Sequence, residues 1–469
     1  MSSVTYDYVI VGGGLAGCVL ASRLREYNEE AKIVLIEAGP HTRSRPDVLN
    51  PQVLNLGGDL DWQYQSKPMH GISNRSIVVN SGKGLGGGSS INSGGWTRGS
   101  AADYDEWATL VGDERYSYKG QQSRTTWIRR ANLNRVCRGK FPLSEDAAAA
   151  WDEMGVAALP GLDQNAGDNL GRAYICQARR DGVRSWSAGS YPLDGVEIRF
   201  NMAVNRVILD SSSGVLKATG VVLVNGTVVP SKVVVSAAGT FRSPQLLQLS
   251  GIGSADDLKE CGIDPLVDLP DVGKGLTDHM SFFQHWRVRD PSAGYTLGSP
   301  NPLFEQPQYS QGVPLDWIVS TTVPKQGLEQ AITKDEDVKP DATKHSLLSK
   351  PRTFLENIVL CAKLPFPGVP MDAEHITTAV VNFLPTSRGS VSLRLANPED
   401  PLKIDFNYLA THVDKYVFRE GLRQLTQYML GSSFSQFIVG ESVPGGLGVQ
   451  PLSLNDNDEK LDNRLAMTS

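Results

Sequence analysis

The order of hydrophobic and polar positions divides the first forty residues into three elements. The run YDYVIV, from Tyr6, is short and apolar, which is typical of a buried strand. The following GGGLAGCVLASRLRE places the apolar Leu15, Val19 and Leu24 at near-helical spacing, and AKIVLIEAG is a second apolar run. The pattern therefore predicts a β-α-β unit near the amino end.

Farther along the chain, the segments EIRFNMAVNRVIL, KATGVVLVNGTVV and SKVVVSAAG are rich in β-branched residues and predict strands. The dipeptide Asn225-Gly226 is a turn signal, so we expect a hairpin followed by a strand that returns to the first sheet. From Thr277 to Glu374, turns and prolines interrupt the pattern, which favours a second domain built between elements of the first. Strand patterns resume with TTAVVNFL and GSVSLRL.

Two stretches have a different character. The segment AADYDEW, from Ala101, predicts the start of a helix because its acidic residues suit the positive end of a helix dipole. Residues 120–146 are basic and show no periodicity, which favours a solvated surface loop over a binding patch.

Composition and charge narrow the classes of function. The 469 residues carry a formal net charge of −6, which argues against nucleic acid as a partner. No apolar stretch is long enough to span a bilayer, and the amino end lacks the pattern of a signal peptide, so we expect a cytoplasmic protein without membrane contact. The five cysteines are scattered without CxxC spacing, which predicts reduced thiols and no metal site.

The clearest motif is a glycine pattern between the first predicted strand and helix. Gly12, Gly14 and Gly17 form G-x-G-x-x-G, and Glu37 follows twenty residues after the last glycine, at the end of the second strand. This context predicts a dinucleotide whose diphosphate lies at the helix amino end and whose ribose is bound by the carboxylate. A glycine turn that only packs helix against strand is the alternative, and the loop does not separate FAD from NAD.

A second glycine-rich stretch, GKGLGGGSSINSGGWTRG, begins at Gly82. Such a run is either a flexible linker or a place where bare backbone must approach a ligand closely. With the residues that follow it, the stretch resembles the first signature of the glucose-methanol-choline (GMC) oxidoreductases. The segment GTFRSPQLLQLSGIG, from Gly239, resembles the second signature, and DWQYQSKP, GVRSWSAGSYPL, DVGKGLTDHM and PTSRGSVSL resemble further family segments in the family's order. Gly275, where relatives usually carry asparagine, and the basic segment 124–140 depart from the family pattern.

The resemblance implies FAD as the cofactor. The residues that would bind it are Gly12, Gly14, Leu15, Ala16, Gly17, Glu37, Ala38, Gly84, Ser89, Asn92, Val204, Ala238 and Gly239. By similarity, Ser89 and Asn92 would contact the flavin half, the backbone at Val204 would hold the adenine, and Ala238 and Gly239 would pass near the adenosine. Each of these residues could instead serve packing, and for Val204 the two interpretations weigh equally.

The resemblance also implies an α/β fold in which a Rossmann-like FAD/NAD(P)-binding domain is interleaved with an α+β substrate domain containing an antiparallel sheet. The expected FAD-binding parts are residues 1–150, 196–280 and 411–469, the last of them incomplete, and the expected substrate-domain parts are 151–195 and 281–410. Phe282, Phe283, Trp286 and Trp317 could line a substrate pocket, but aromatic residues more often belong to the core, so they are left unassigned.

The activity that the resemblance implies is oxidation of a primary or secondary alcohol of a small molecule by hydride transfer to flavin N5, with a role in specialised metabolite biosynthesis. Relatives place a histidine base in an H-P-x-G-T-like segment, and no such segment occurs up to Ser469, so no catalytic residue is predicted. His279 matches a family position that is not the base, and we expect it to be structural.

The ending NDNDEKLDNRLAMTS resembles the helix that precedes the base segment. Because relatives continue beyond this helix with elements that cover the flavin and complete the domain, the resemblance also predicts an uncovered sheet edge or apolar face and poorer FAD retention. Two other functions stay open: a truncated, catalytically impaired flavin-binding protein, and an NAD-dependent dehydrogenase, against which the two signatures count.

Overall fold

The computed structural model describes residues 4–51, 54–123, 141–310, 312–364, 372–445 and 448–468. The strands are β1 Tyr6–Val11, β2 Ile33–Ile36, β3 Tyr64–Gln65, β4 Val78–Val79, β5 Gly171–Tyr174, β6 Arg179–Arg180, β7 Val183–Arg184, β8 Glu197–Arg199, β9 Val204–Asp210, β10 Lys217–Leu223, β11 Val228–Ser236, β12 Ile252–Gly253, β13 Val267–Asp268, β14 Lys274–Leu276, β15 Ser281–Val288, β16 Trp317–Thr321, β17 Leu355–Leu360, β18 His375–Asn382, β19 Gly389–Ser392, β20 Lys403–Asp405 and β21 Ile438–Ser442. The α-helices are α1 Leu15–Tyr27, α2 Pro46–Leu49, α3 Ala101–Val111, α4 Tyr118–Ser123, α5 Ser144–Glu153, α6 Ser187–Ser190, α7 Gly239–Leu249, α8 Ala255–Glu260, α9 Lys325–Glu336, α10 His412–Thr426 and α11 Asp458–Thr468.

The first sheet has the strand order β8-β2-β1-β11-β10-β9. Strands β8, β2, β1 and β11 run parallel, and α1 connects β1 to β2, which confirms the predicted β-α-β unit. Strands β9 and β10 pair antiparallel, and the turn at Asn225-Gly226 joins β10 to β11, which returns beside β1 as predicted. Apolar clusters cover both faces, one around Ile10 and Leu35 and the other around Val9 and Val34.

One edge of the first sheet stays open beside β11. Strand β10 pairs with β11 only as far as Pro230, whereas β1 pairs along residues 231–236 on the other side. Val233, in the open half, is 43% exposed. In the described parts of the chain, this half of β11 therefore has a strand partner on one side only.

The second sheet is antiparallel throughout, with the order β21-β15-β18-β17-β16-β5. Three of its strands, β15, β16 and β17, lie in the stretch from Thr277 to Glu374, where the hydrophobic pattern indicated no strand. Strands such as β16 and β17 have buried residues at successive positions, so apolar and polar residues do not alternate along them. A search for a period of two therefore does not detect such strands. Phe282 and Trp286 of β15 are fully buried in the core cluster that also contains Val417 and Phe418 of α10, and neither lines the cavity described below.

The carboxyl-terminal part of the described chain belongs to this second layer. Strand β21 extends the antiparallel sheet, and α10 packs on β18. The apolar face of α10, with Val417 and Phe418, is complementary to the apolar side of the second sheet. The domain boundaries, including the assignment of residues 411–469, stay predictions, and most of the basic segment 120–146 lies outside the described residues.

Glu356, on β17, is a buried acid that forms no ion pair with a cation among the described residues. Its side chain is 8% exposed and accepts a hydrogen bond from Gln164 Nε2 at 3.3 Å. Burial raises the pKa of Glu356 from 4.5 to about 7, although the bond from Gln164 opposes the rise. Since the pKa of Glu356 is higher in the folded state than in the unfolded state, the folded state binds the proton more tightly. This proton binding stabilises the folded state, and the stabilisation is lost as the pH rises from about 4.5 to about 7.

We expect Glu356→Gln to remove this loss. The free energy of unfolding of the wild type should fall between pH 5 and pH 7. The fall is about 1.4 kcal/mol for each tenfold difference in proton affinity between the folded and unfolded states. The variant should show a flatter dependence of this free energy on pH. Urea unfolding across this range measures it, with the exposed Glu305→Gln as the control. Parallel profiles for wild type and Glu356→Gln would contradict the prediction.

Candidate cofactor site

A cavity of about 730 Å³ opens where the first sheet, α1, α7 and the glycine-rich stretch 82–99 meet. Its volume lies within the roughly 300–1,000 Å³ that is usual for ligand sites. The residues predicted to bind the cofactor that line this cavity are Gly12, Gly14, Leu15, Ala16, Glu37, Ala38, Asn92, Val204, Ala238 and Gly239. The sequence-based prediction thus falls largely on the wall of one cavity.

The amino end of α1 meets the cavity without a side-chain cap. Gly14 is its N-cap residue and has no side chain to accept from the first N–H groups, and the first turn contains no acidic residue. Leu15 and Ala16 of this turn line the cavity. The unpaired N–H groups and the positive end of the helix dipole therefore suit an anion such as a diphosphate.

Each of the three glycines of the first loop is required at its position for a different structural reason. A Cβ on Gly17 would lie 2.0 Å from the Gly12 carbonyl oxygen, and a Cβ on Gly12, whose φ is +101°, would lie 2.5 Å from the Ala237 carbonyl oxygen. A Cβ on Gly14 would meet only Gly87 Cα, at 3.9 Å. The outer two glycines thus allow backbone to pack on backbone, whereas Gly14 leaves bare backbone at the cavity wall.

The glycine-rich stretch packs directly against this first loop. The Gly86 N–H donates to the Gly13 carbonyl at 2.7 Å, and a Cβ on Gly87, with φ +53°, would lie 2.8 Å from Gly14 Cα. Gly82, Gly87 and Gly88 line the cavity. The stretch is therefore a wall of the site and not a linker.

Glu37 lies at the end of β2 and is 6% exposed. Its carboxylate accepts the Gly13 N–H at 2.7 Å and the Gly39 N–H at 2.7 Å. Burial raises the pKa of Glu37, and these backbone hydrogen bonds oppose the rise. Both carboxylate oxygens are thus engaged by backbone N–H groups, and contact of Glu37 with ribose hydroxyls stays a prediction.

Comparison with known proteins decides which family this architecture represents. The model of the GMC oxidoreductase family matches residues 6–281. A GMC-type oxidoreductase, acuG, from Aspergillus aculeatus is 35% identical over 475 residues, covering 99% of this chain and 87% of that protein.

The chain belongs to the GMC oxidoreductase family. An oxygen-dependent choline dehydrogenase from Burkholderia vietnamiensis is 29% identical, covering 95% of this chain and 80% of that protein. Among solved structures, formate oxidase superposes with a TM-score of 0.83 at 22% identity, covering 100% of this chain and 88% of that one. Pyridoxine 4-oxidase from Mesorbium loti superposes with a TM-score of 0.79 at 23% identity, covering 99% and 86%. The predicted family, the fold class and FAD as the cofactor are confirmed.

Three of the predicted cofactor residues do not line the cavity of this GMC oxidoreductase. Gly17 packs against the first loop, Gly84 adopts a φ of +151° beside Thr42, and Ser89 donates its hydroxyl to the Gly86 carbonyl at 2.6 Å. Ser89 Oγ also accepts from the Ser187 N–H at 3.1 Å. These residues shape the loops that carry the wall, and direct contact with FAD stays a prediction for each.

Asn92 lies in the wall with part of its amide engaged. Its Oδ1 accepts from Arg184 Nη1 at 2.9 Å and from the Gly94 N–H at 3.1 Å. This orients the side chain and leaves the Nδ2 group, which has no hydrogen-bond partner among the described residues, to donate to a ligand.

The sequence-based list missed one end of the cavity. Trp62, Tyr64, Phe241, Arg242 and Pro398 line it, and they come from three separate segments of the chain. DWQYQSKP and GTFRSPQLL resembled family segments, so the signal was present, but no local pattern indicated that the two segments meet.

The cavity wall contains few groups that could exchange a proton. All seven histidines lie in the described residues, and none of them lines the cavity. Glu37 and Arg242 are the charged side chains of its wall. His279 is exposed and packs its ring on Phe383 at 5.0 Å, and burial lowers the pKa of His285 to about 4.

Two expected absences concern metals and membranes. Within the described ranges, no cluster of His, Cys, Asp and Glu is arranged to hold a metal ion. None of the helices in these ranges combines the length and the apolar character needed to cross a bilayer.

Proposed function

We propose that this GMC oxidoreductase uses FAD to oxidise a primary or secondary alcohol of a small molecule. The observation that carries the proposal is the single cavity in which the uncapped end of α1, the Glu37 carboxylate and the glycine-rich wall come together. When bound, the flavin supplies the acceptor for the hydride of the alcohol. A role in specialised metabolism and a cytoplasmic location stay predictions from the sequence.

Different residues of the cavity wall would bind different parts of FAD. The N–H groups at the start of α1 would bind the diphosphate, and Glu37 would accept from the ribose hydroxyls. Val204, Ala238 and Gly239 would lie against the adenosine half. Asn92 would donate from Nδ2 toward the flavin half, held in place by Arg184.

A flavin-binding protein with impaired catalysis is the second candidate. Oxidation of an alcohol also removes the hydroxyl proton, which requires a base within hydrogen-bond reach. The observation that favours this candidate is the absence of all seven histidines from the cavity wall in the described chain. Loss of a general base typically lowers a rate by roughly a hundred- to ten-thousandfold, so weak turnover would be compatible with it.

The visible spectrum of the full chain separates these functions. The protein is purified, loaded with FAD, and then mixed without oxygen with a panel of alcohols that includes choline and pyridoxine. Bleaching of the bound flavin by an alcohol supports the oxidoreductase, and a bound flavin that no alcohol bleaches supports the second candidate. A chain that gains no flavin bands when FAD is added would contradict both.

Glu37→Gln is the matched variant for this experiment. It keeps the size of the side chain but removes the charge that ribose hydroxyls favour. We expect weaker retention of FAD, with a bleaching rate per bound flavin close to that of the wild type.

A further inference from the structure

Arg242 lies in the first turn of α7, in the wall of the cavity, and its guanidinium is held on several sides. Its Cζ lies 4.0 Å from the centroid of the Trp62 ring. Its Nε donates to the Tyr64 hydroxyl at 2.8 Å, and its Nη1 donates to Gln245 Oε1 at 2.7 Å and to the Pro398 carbonyl at 2.9 Å. The plane and direction of the group are therefore fixed before any ligand binds.

The positive charge of Arg242 is not neutralised within the described chain. Its partners are a phenol, an amide, a carbonyl and an aromatic ring, and it forms no ion pair with a carboxylate there. The Nη2 group has no hydrogen-bond partner among the described residues, which leaves its two N–H bonds available in a side chain that lines the cavity.

Neither Glu37 nor Lys83, the two charged residues to be compared with Arg242, neutralises its guanidinium. The carboxylate of the wall, Glu37, is engaged by the N–H groups of Gly13 and Gly39 and not by Arg242. The ammonium group of Lys83 lies 4.7 Å from the centroid of the Trp62 ring. Lys83 thus contacts the same tryptophan ring as Arg242 but does not itself line the cavity.

We propose that Arg242 binds an oxyanion of the ligand that occupies the cavity, through the N–H groups of Nη2. A rigid, planar guanidinium with free donors suits a phosphate or carboxylate oxygen, and little side-chain freedom is lost when the bond forms. The oxyanion belongs either to the diphosphate of the dinucleotide or to an acidic group of the substrate. Nothing in the proposed function requires Arg242, so this assignment stands or falls separately.

Arg242→Gln is the test variant, because it removes the charge but keeps a hydrogen-bonding side chain. Lys83→Gln is the matched control, since it removes a charge beside the same Trp62 ring at a residue outside the cavity wall. The apoprotein is titrated with ADP and with adenosine, and the FAD-loaded protein is titrated with benzoate and with benzyl alcohol. In each pair, one ligand is anionic and the other is uncharged.

If the diphosphate is the source, Arg242→Gln weakens ADP binding by about tenfold or more and leaves adenosine binding unchanged. If an acidic substrate is the source, the same variant weakens benzoate binding by a similar factor and leaves ADP and benzyl alcohol unchanged. Lys83→Gln should leave the ratio of anionic to uncharged affinity within about twofold of wild type in both arms.

Three results would overturn the assignment. Unchanged affinities in Arg242→Gln would exclude an anion contact, and equal losses for anionic and uncharged ligands would show that Arg242 only supports the wall. Failure of the wild type to bind either ADP or benzoate would exclude both sources. Arg242→Lys, which keeps the charge but loses the planar fork, should lie between wild type and Arg242→Gln in the anionic titrations.

Discussion

Replacement of Gly17 by alanine is expected to weaken the binding of FAD. The added Cβ would lie 2.0 Å from the Gly12 carbonyl oxygen and 3.1 Å from the Gly12 carbonyl carbon, so α1 must move away from the first loop. Overpacking of this kind typically costs about 1–3 kcal/mol. Because the displaced helix carries the N–H groups at the cavity wall, FAD affinity should fall by roughly ten- to a hundredfold, measured by fluorescence titration of the apoprotein.

Two other glycines separate the causes of this loss. Gly14→Ala meets only Gly87 Cα, at 3.9 Å, so the variant should keep the thermal stability of the wild type while its methyl group blocks approach of the ligand. Gly440→Ala, where a Cβ meets nothing within 4 Å, should change neither property. If Gly17→Ala bound FAD as tightly as the wild type, the close contact between α1 and the first loop would not support the site.

The parts of the fold that the sequence predicted are those with a local cause. The apolar run from Tyr6, the three glycines and Glu37 lie within about forty residues of one another, and each is required by the backbone geometry of its own segment. The same holds for the predicted helix start at Ala101, where the structure shows Ser100 and Asp103 satisfying each other's backbone N–H groups.

The parts that it did not predict depend on contacts between distant segments. In strand β15, the face with the buried Phe282 and Trp286 also carries the polar Gln284, so the sequence lacks the apolar–polar alternation that indicates a strand. The corner of the cavity at Arg242 joins segments near Trp62 and Pro398 that are far apart in the sequence. The residues that contact Arg242 can be identified only in the folded structure, where these segments are adjacent.

Ser89 illustrates a different limit. The resemblance placed it at the flavin, but its hydroxyl is engaged by the backbone of Gly86 and Ser187. A small polar residue in a glycine-rich loop can stabilise the loop or bind a ligand, and the sequence is the same in both cases. Only the partner of the hydroxyl separates these functions.

Loss of the Glu441 carboxylate is expected to destabilise the protein more than loss of any exposed ion pair. Glu441 on β21 and Arg464 on α11 form a pair with an N–O distance of 2.7 Å, and their side chains are 0% and 3% exposed. The carboxylate also accepts from Gln284 Nε2 at 3.3 Å and from the Leu452 N–H at 2.7 Å. Glu441→Gln leaves a buried guanidinium without its counter-ion, which typically costs about 3–5 kcal/mol.

The double variant Glu441→Gln/Arg464→Met distinguishes an unpaired charge from a general loss of packing. Arg464 Nε and Nη1 have no hydrogen-bond partner among the described residues, so removal of the guanidinium also removes an existing desolvation cost. The double variant should therefore be more stable than Glu441→Gln alone in urea unfolding. The exposed pair of Lys274 and Asp257, with side chains 49% and 51% exposed, is the control, and Asp257→Asn should cost less than about 1 kcal/mol. A cost for Glu441→Gln no larger than that of Asp257→Asn would show that the buried pair does not hold α11 against the second sheet.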